Sequence, residues 1–115
     1  MNPRTLTPSM SLLLAFEAAA RHESYTRAAH ELSLTQSAVS RQVQILEKML
    51  GMRLFSREGR QVVLTDVGRM YQRELAEALG QIRSATLQAM AFGSGIHSLR
   101  LATLPTFGSK WLLPR

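Results

Sequence analysis

Apolar residues recur at three- and four-residue steps from residue 10 to residue 50, and short polar breaks divide that pattern into three predicted helices. The first opens at Pro8-Ser9, with Ser9 as its cap, and runs to about His22 with Leu13, Phe16 and Ala20 on one face. Ser24 caps a short second helix, residues 25–32, whose inward face holds Ala28, Ala29 and Leu32. Two adjacent alanines leave room for another helix to come close. Ser33-Leu34-Thr35 allows only a sharp turn. Thr35 caps a third helix that ends at Gly51, the residue type expected just past a helix C-terminus.

The third helix has two characters. Val39, Val43, Leu46 and Leu50 are spaced four, three and four apart and line one face. Gln36, Ser40, Gln44 and Glu47 line another. Ile45 and Met49 thicken the apolar stripe toward the C-terminal half, which predicts that this half is buried. The front half carries Thr35, Gln36, Ser37, Ser40, Arg41 and Gln42 with no acid, and is predicted to protrude.

After Gly51 the periodicity changes. Leu54-Phe55 and Val62-Val63-Leu64 are short apolar runs around Glu58-Gly59, a turn former, and predict a two-stranded hairpin bearing Arg53, Arg57 and Arg60. Thr65 then caps a long helix over about 66–91, with Asp66 favourable in its first turn. Gly68 and Gly80 are each expected to weaken that helix by about 1 kcal/mol relative to alanine. Tyr71, Leu75, Ala78, Leu79, Ile82, Ala85 and Ala89 form its stripe. A helix of roughly 40 Å cannot hide such a stripe inside so small a domain, so the simplest partner is a second copy, met through Tyr71, Leu75, Leu79 and Ile82. Gly93-Ser94-Gly95 makes a hinge, and the alternating strand-like stretch and helix start beyond it look like the first βα unit of another domain.

The predicted class is therefore mainly α: a winged helix-turn-helix of three helices and a two-stranded wing, followed by a long dimerisation helix. Residues 1–65 form the first domain, with the helix-turn-helix at about 25–44. Residues 66–92 form the linker helix, and 93–115 the hinge and the start of an effector-binding domain.

Composition sharpens this picture. The 115 residues carry a formal charge of +6, and twelve of the fourteen basic side chains are arginine, which suits phosphate or carboxylate partners. The absence of cysteine excludes disulfides and Cys-based zinc sites and suits a reducing, cytoplasmic compartment. No apolar run reaches bilayer-spanning length. Residues 1–22 imitate a signal peptide, but Glu17 ends the apolar run and the helical spacing fits a first domain helix better.

A helix, a sharp turn, a helix and an arginine-bearing hairpin suit DNA. The second helix of such a pair fits the major groove with its N-terminal residues at the base edges. Arg41 can fork onto guanine O6 and N7, Gln36 can read adenine N6 and N7, and Ser37 and Ser40 can serve base edges or phosphates. Arg53, Arg57 and Arg60 would lie beside the backbone or in the minor groove. Thr26, Arg27 and Thr35, at helix starts, suit phosphates. His22, His30 and His97 have no ligand spacing, and neither a nucleophile elbow nor a phosphate-cradling glycine loop is present. Neither an enzyme nor a metal or cofactor site is therefore expected. A winged helix that serves only protein interaction is the rival reading; the acid-free front of the third helix argues against it.

Residues 24–68 also resemble a known family. Ala28-Ala29, the run from Thr35 to Gln42, Leu46-Glu47, Leu50-Gly51, Leu54-Phe55 and Leu64-Thr65 with Gly68 match the DNA-binding domain of LysR-type transcriptional regulators. The resemblance covers about residues 5–92, and the stretch after the hinge is similar to the opening of that family's effector-binding domain. It implies dimers or tetramers on interrupted dyad sites in double-stranded DNA, and base contacts from Gln36, Ser37, Ser40 and Arg41. It also implies a small-molecule effector bound by the C-terminal domain, a pocket that a chain ending at Arg115 is not expected to form. Many members carry proline where this chain has Ser37, whose hydroxyl adds a hydrogen-bonding group.

Overall fold

The computed structural model describes residues 6–94. Helix α1 spans Met10–His22, α2 Tyr25–Leu32 and α3 Gln36–Leu50; strands β1 (Phe55–Glu58) and β2 (Gln61–Leu64) follow, then α4 (Asp66–Gly93). The strand and helix expected after the hinge lie outside the described residues. A boundary between two compact units falls between Glu77 and Ala78, within α4.

The helix starts follow from local chemistry. Ser9, Ser24, Thr35 and Thr65 each accept, through the side-chain oxygen, the N–H three residues on, from Leu12, Arg27, Ala38 and Gly68. Each bond satisfies a donor that the helix itself leaves free. The helix ends use left-handed residues: Glu23 (φ 49°), Ser33 (φ 57°) and Gly51 (φ 74°). Ser33 makes the sharp turn between α2 and α3, and Leu34 N–H returns to the Ala29 carbonyl at 2.9 Å.

In the first unit, α1 packs against both α2 and α3. Buried alanines (Ala15, Ala18, Ala19, Ala20, Ala28 and Ala29) permit the close approach, and Phe16, Val39, Val43 and Leu46 fill the centre. The Phe16 ring lies 5.6 Å from Phe55 and 5.5 Å from Tyr71, and Phe55 meets Tyr25 edge-on at 5.6 Å. These aromatic contacts join α1, α2, the wing base and the start of α4.

Two sequence expectations need correcting. The C-terminal half of α3 is not buried throughout, because Ile45 (44% exposed) and Met49 (45%) face outward. At 100° per residue they lie off the stripe of Val39, Val43 and Leu46. The hairpin turn is Gly59-Arg60, since Glu58 pairs with Gln61 at the end of the ladder. Gly59 alone of the two has positive φ (65°), the pattern of hairpin turns with glycine first.

Glu17 is buried at 5% exposure, but it is not unpaired. Its carboxylate accepts from Arg21 Nε and Nη2, both at 3.1 Å, and from Gln72 Nε2 at 3.2 Å. Arg21 also donates twice to Glu31, at 3.0 and 2.8 Å, and His22 Nε2 lies 2.7 Å from Glu31 Oε1. The hydrogen bonds from Arg21, then from His22, hold the Glu31 carboxyl down at about 2. A lowered carboxyl stabilises the fold above its unfolded value, and the contribution is lost as pH falls from about 4.5 through about 2. The Glu31 side chain is two-fifths exposed, so solvent screening holds the effect to about 1 kcal/mol. Glu31→Gln should therefore flatten part of the acid limb of a urea-midpoint profile; an unchanged acid limb would show that the pair contributes nothing.

Candidate nucleic-acid interface

The wing is seated by α3 itself. Glu47 Oε2 accepts Leu54 N–H at 2.8 Å and Phe55 N–H at 3.1 Å, so the last turns of α3 hold the entry of β1. Thr65 fastens the other end: its N–H donates to the Leu54 carbonyl at 3.0 Å and its hydroxyl to the Arg53 carbonyl at 2.9 Å. Neither role of Glu47 or Thr65 toward the wing was predicted. A lone acid late in α3 followed by Leu54-Phe55 was the available signal for Glu47.

The recognition side of α3 is open. Gln36, Ser37 and Arg41 are exposed, and Ser40 is half-buried. Ser37, Arg41, Gln44 and Lys48 recur at four, three and four residues on the face opposite Val39, Val43 and Leu46, and all four are exposed. This stripe adds Gln44 and Lys48 to the expected set; their spacing from Arg41 was the overlooked sign. Neither α2 nor α3 has an acid in its first turn, so both positive helix ends are left for an external anion.

A groove of about 300 Å³ runs between the starts of α2 and α3 and the wing. Thr26, Gln36, Arg57 and Arg60 line it together, with Tyr25 and Val62 among the walls. Burial pushes the Tyr25 phenol up, and Glu47 adds to this, so it stays neutral there. Within the groove the Thr26 hydroxyl donates to Gln36 Oε1 at 3.2 Å. Four of the expected DNA residues thus converge. Ser37, Ser40, Arg41, Arg27, Thr35 and Arg53 are not among the groove's lining residues.

Their individual states differ. Thr35 spends its acceptor on Ala38 N–H as the α3 cap. Arg53 is 71% exposed, with Nε 3.6 Å from Glu47, which is too loose to withdraw it from solvent. Among the described residues, Arg27, Arg41, Lys48, Arg57 and Arg60 have no carboxylate within ion-pairing distance. These cations are free to neutralise an external polyanion.

The long helix divides its stripe. Tyr71 stacks on Phe16, Leu75 joins the hydrophobic core, and Leu79 is buried in the single chain. Of the four residues expected to meet a second copy, Ile82 is exposed, as are Leu87, Met90 and Phe92 farther along. Among the described residues no group of His, Cys, Asp and Glu could hold a metal, and no helix is long and apolar enough to cross a membrane.

Comparison with known proteins agrees with this geometry. Residues 10–69 match the family described as bacterial regulatory helix-turn-helix protein, lysR family. The chain is 44% identical over 108 residues to the glycine cleavage system transcriptional activator of Escherichia coli strain K12, covering 94% of this chain and 35% of that protein. It is 45% identical over 106 residues to the transcriptional activator AmpR of Providencia stuartii, covering 92% and 36% respectively. The chain thus spans about a third of the length of the curated relatives it matches. Among solved structures, the BenM DNA-binding domain in complex with catB site 1 DNA is similar with a TM-score of 0.72 and 29% identity, over 76% of this chain and 97% of that one.

Proposed function

Since the chain belongs to the lysR family of bacterial regulatory helix-turn-helix proteins, we propose that it is the DNA-reading portion of a sequence-specific transcriptional regulator and not an enzyme. Helix α3 enters the major groove, with Gln36, Ser37, Ser40 and Arg41 at base edges. The wing arginines Arg53, Arg57 and Arg60, with Arg27, Thr26 and Thr35 at helix starts, meet the backbone or the minor groove.

The observation that carries this reading is the groove shared by Gln36, Arg57 and Arg60, set beside an exposed, acid-free helix start. The similar BenM domain was solved with DNA, and relatives are named transcriptional activators, which supports the same assignment.

A homodimer belongs to the reading. Tyr71 and Leu75 are committed to the chain's own core, so the dimer face is assigned to Ile82 and the apolar residues that follow it on α4. Control by a small-molecule effector would belong to the remainder of a full-length protein, and the site of action is the cytoplasm.

Enrichment from a random duplex pool tests the function. A consensus with two dyad-related halves is expected, bound with an affinity that falls steeply as salt rises, because each neutralised phosphate releases counterions. Enrichment of no consensus, with affinity indifferent to salt, would overturn it.

A further inference from the structure

We propose that Tyr25 is a further DNA-binding residue, whose phenol donates a hydrogen bond to the phosphate that Arg57 and Arg60 neutralise in the groove between α2, α3 and the wing. This rests on the DNA-reading assignment above and deepens it.

Tyr25 is the first residue of α2, which Ser24 caps. Its ring meets Phe55 edge-on at 5.6 Å and packs against the hydrophobic core. That work is apolar, and a phenylalanine ring would do it equally well. The hydroxyl has no hydrogen-bond partner among the described residues, although burial already weighs against its ionised form. Polar groups that have shed part of their water are generally hydrogen-bonded, and a buried tyrosine usually finds a partner for its O–H. In the free protein water can enter the groove. A ligand that displaces that water has to replace its bond.

The groove's other residues identify the ligand. Tyr25 lines it with Thr26, Gln36, Arg57 and Arg60. Arg57 and Arg60 have no carboxylate within ion-pairing distance among the described residues. No acid stands in the first turn of α2, so its positive end opens here as well. Glu23 also lines the groove, and two arginines outweigh its single charge. A DNA phosphate is the anion that suits this set. Phosphate oxygens only accept, so the bond has one possible direction, from the phenol to the phosphate. Burial first and Glu47 second keep the phenol protonated and able to donate. The packing on Phe55 holds the ring in advance, so little freedom is lost when the contact forms.

Tyr25→Phe removes the hydroxyl and keeps the ring. On the duplex enriched from the random pool it should bind roughly three- to tenfold more weakly, the worth of one hydrogen bond. The same factor should recur on duplexes changed at single base pairs, because a phosphate carries no sequence. A neutral donor releases no counterion. The dependence of log affinity on log salt should therefore match the parent's, whereas Arg57→Ala should reduce that slope by about one. The urea midpoint of Tyr25→Phe should not fall. Duplexes carrying one neutral methylphosphonate, a poorer acceptor, locate the contact. At one phosphate the parent should lose roughly threefold or more beyond what Tyr25→Phe loses there.

Undiminished affinity of Tyr25→Phe overturns the proposal. So does a loss confined to one base pair, which would make Tyr25 a base contact, or a flattened salt slope, which would mean that the change acts through the arginines. A lowered urea midpoint, with equal methylphosphonate losses in parent and variant, would make the hydroxyl structural and overturns it too. Each of these leaves sequence-specific binding standing if the parent still prefers the enriched duplex over a scrambled one. A parent without that preference would sink the DNA-reading assignment, and the proposal with it.

Discussion

Gly68→Ala is expected to destabilise the protein by about 3 kcal/mol, at the upper end of overpacking effects. Gly68 is buried in the first turn of α4, and a methyl group there would fall onto the Leu54 carbonyl and against the Leu64 side chain. The carbonyl is main chain and cannot swing aside. It already accepts the Thr65 N–H at 3.0 Å, and Leu54 N–H is held by Glu47. Relief therefore requires lifting α4 off the wing base, which breaks the Thr65 bonds and opens the aromatic contact of Tyr71 with Phe16. The alanine's helix propensity offsets only about 1 kcal/mol of this.

Gly80 supplies the control. It is exposed, with nothing within 4 Å of an added Cβ, so Gly80→Ala should stabilise by about 1 kcal/mol. Urea denaturation of the two variants should move the midpoint in opposite directions. A Gly68→Ala midpoint equal to the parent's would mean that α4 does not seat on Leu54. Against a total stability of about 5–15 kcal/mol for a domain, the expected loss is a large fraction.

These two glycines also show where a sequence is informative. Each looks like the same cost inside a helical pattern, and only the backbone brought alongside, fourteen residues away in sequence, separates them. The helix caps were legible because Ser9, Ser24, Thr35 and Thr65 act three residues along the chain, and so were the ends of α1, α2 and α3. Glu17 was not legible: it looked like a break in an apolar run, and the Gln72 side chain that bonds it is 55 positions distant. Glu47 looked like part of a polar face and instead holds the wing.

The candidate interface divides in the same way. Exposure of Ser37 and Arg41 follows from the positions of Val39, Val43 and Leu46 on the opposite face, so periodicity alone placed them; Gln36 shares the side of Val39 and Val43 and is exposed as the first residue of α3. That the Thr26 hydroxyl meets the Gln36 side chain, ten residues later, is encoded by no periodicity. Leu75 was expected on the face that meets a second copy, and the structure buries it in the chain's own core.

Arg41→Ala carries the second large effect. Arg41 is exposed in the second turn of α3, shares its face with Ser37, Gln44 and Lys48, and has no carboxylate partner among the described residues. Its five N–H donors in a rigid fork match guanine O6 and N7, a pairing worth about 1–3 kcal/mol of discrimination, or roughly 5- to 150-fold in affinity. A shorter side chain cannot reach the base edge, and no neighbouring arginine lies on this face of α3 to replace it.

The most direct measurement is the affinity of parent and Arg41→Ala for the enriched duplex and for a scrambled duplex of the same length, by fluorescence anisotropy at one fixed salt concentration. If α3 reads bases, the variant loses roughly 5- to 150-fold on the enriched duplex, much less on the scrambled one, and tolerates substitution at one base pair that the parent rejects. Equal affinity and equal selectivity for parent and variant would contradict it.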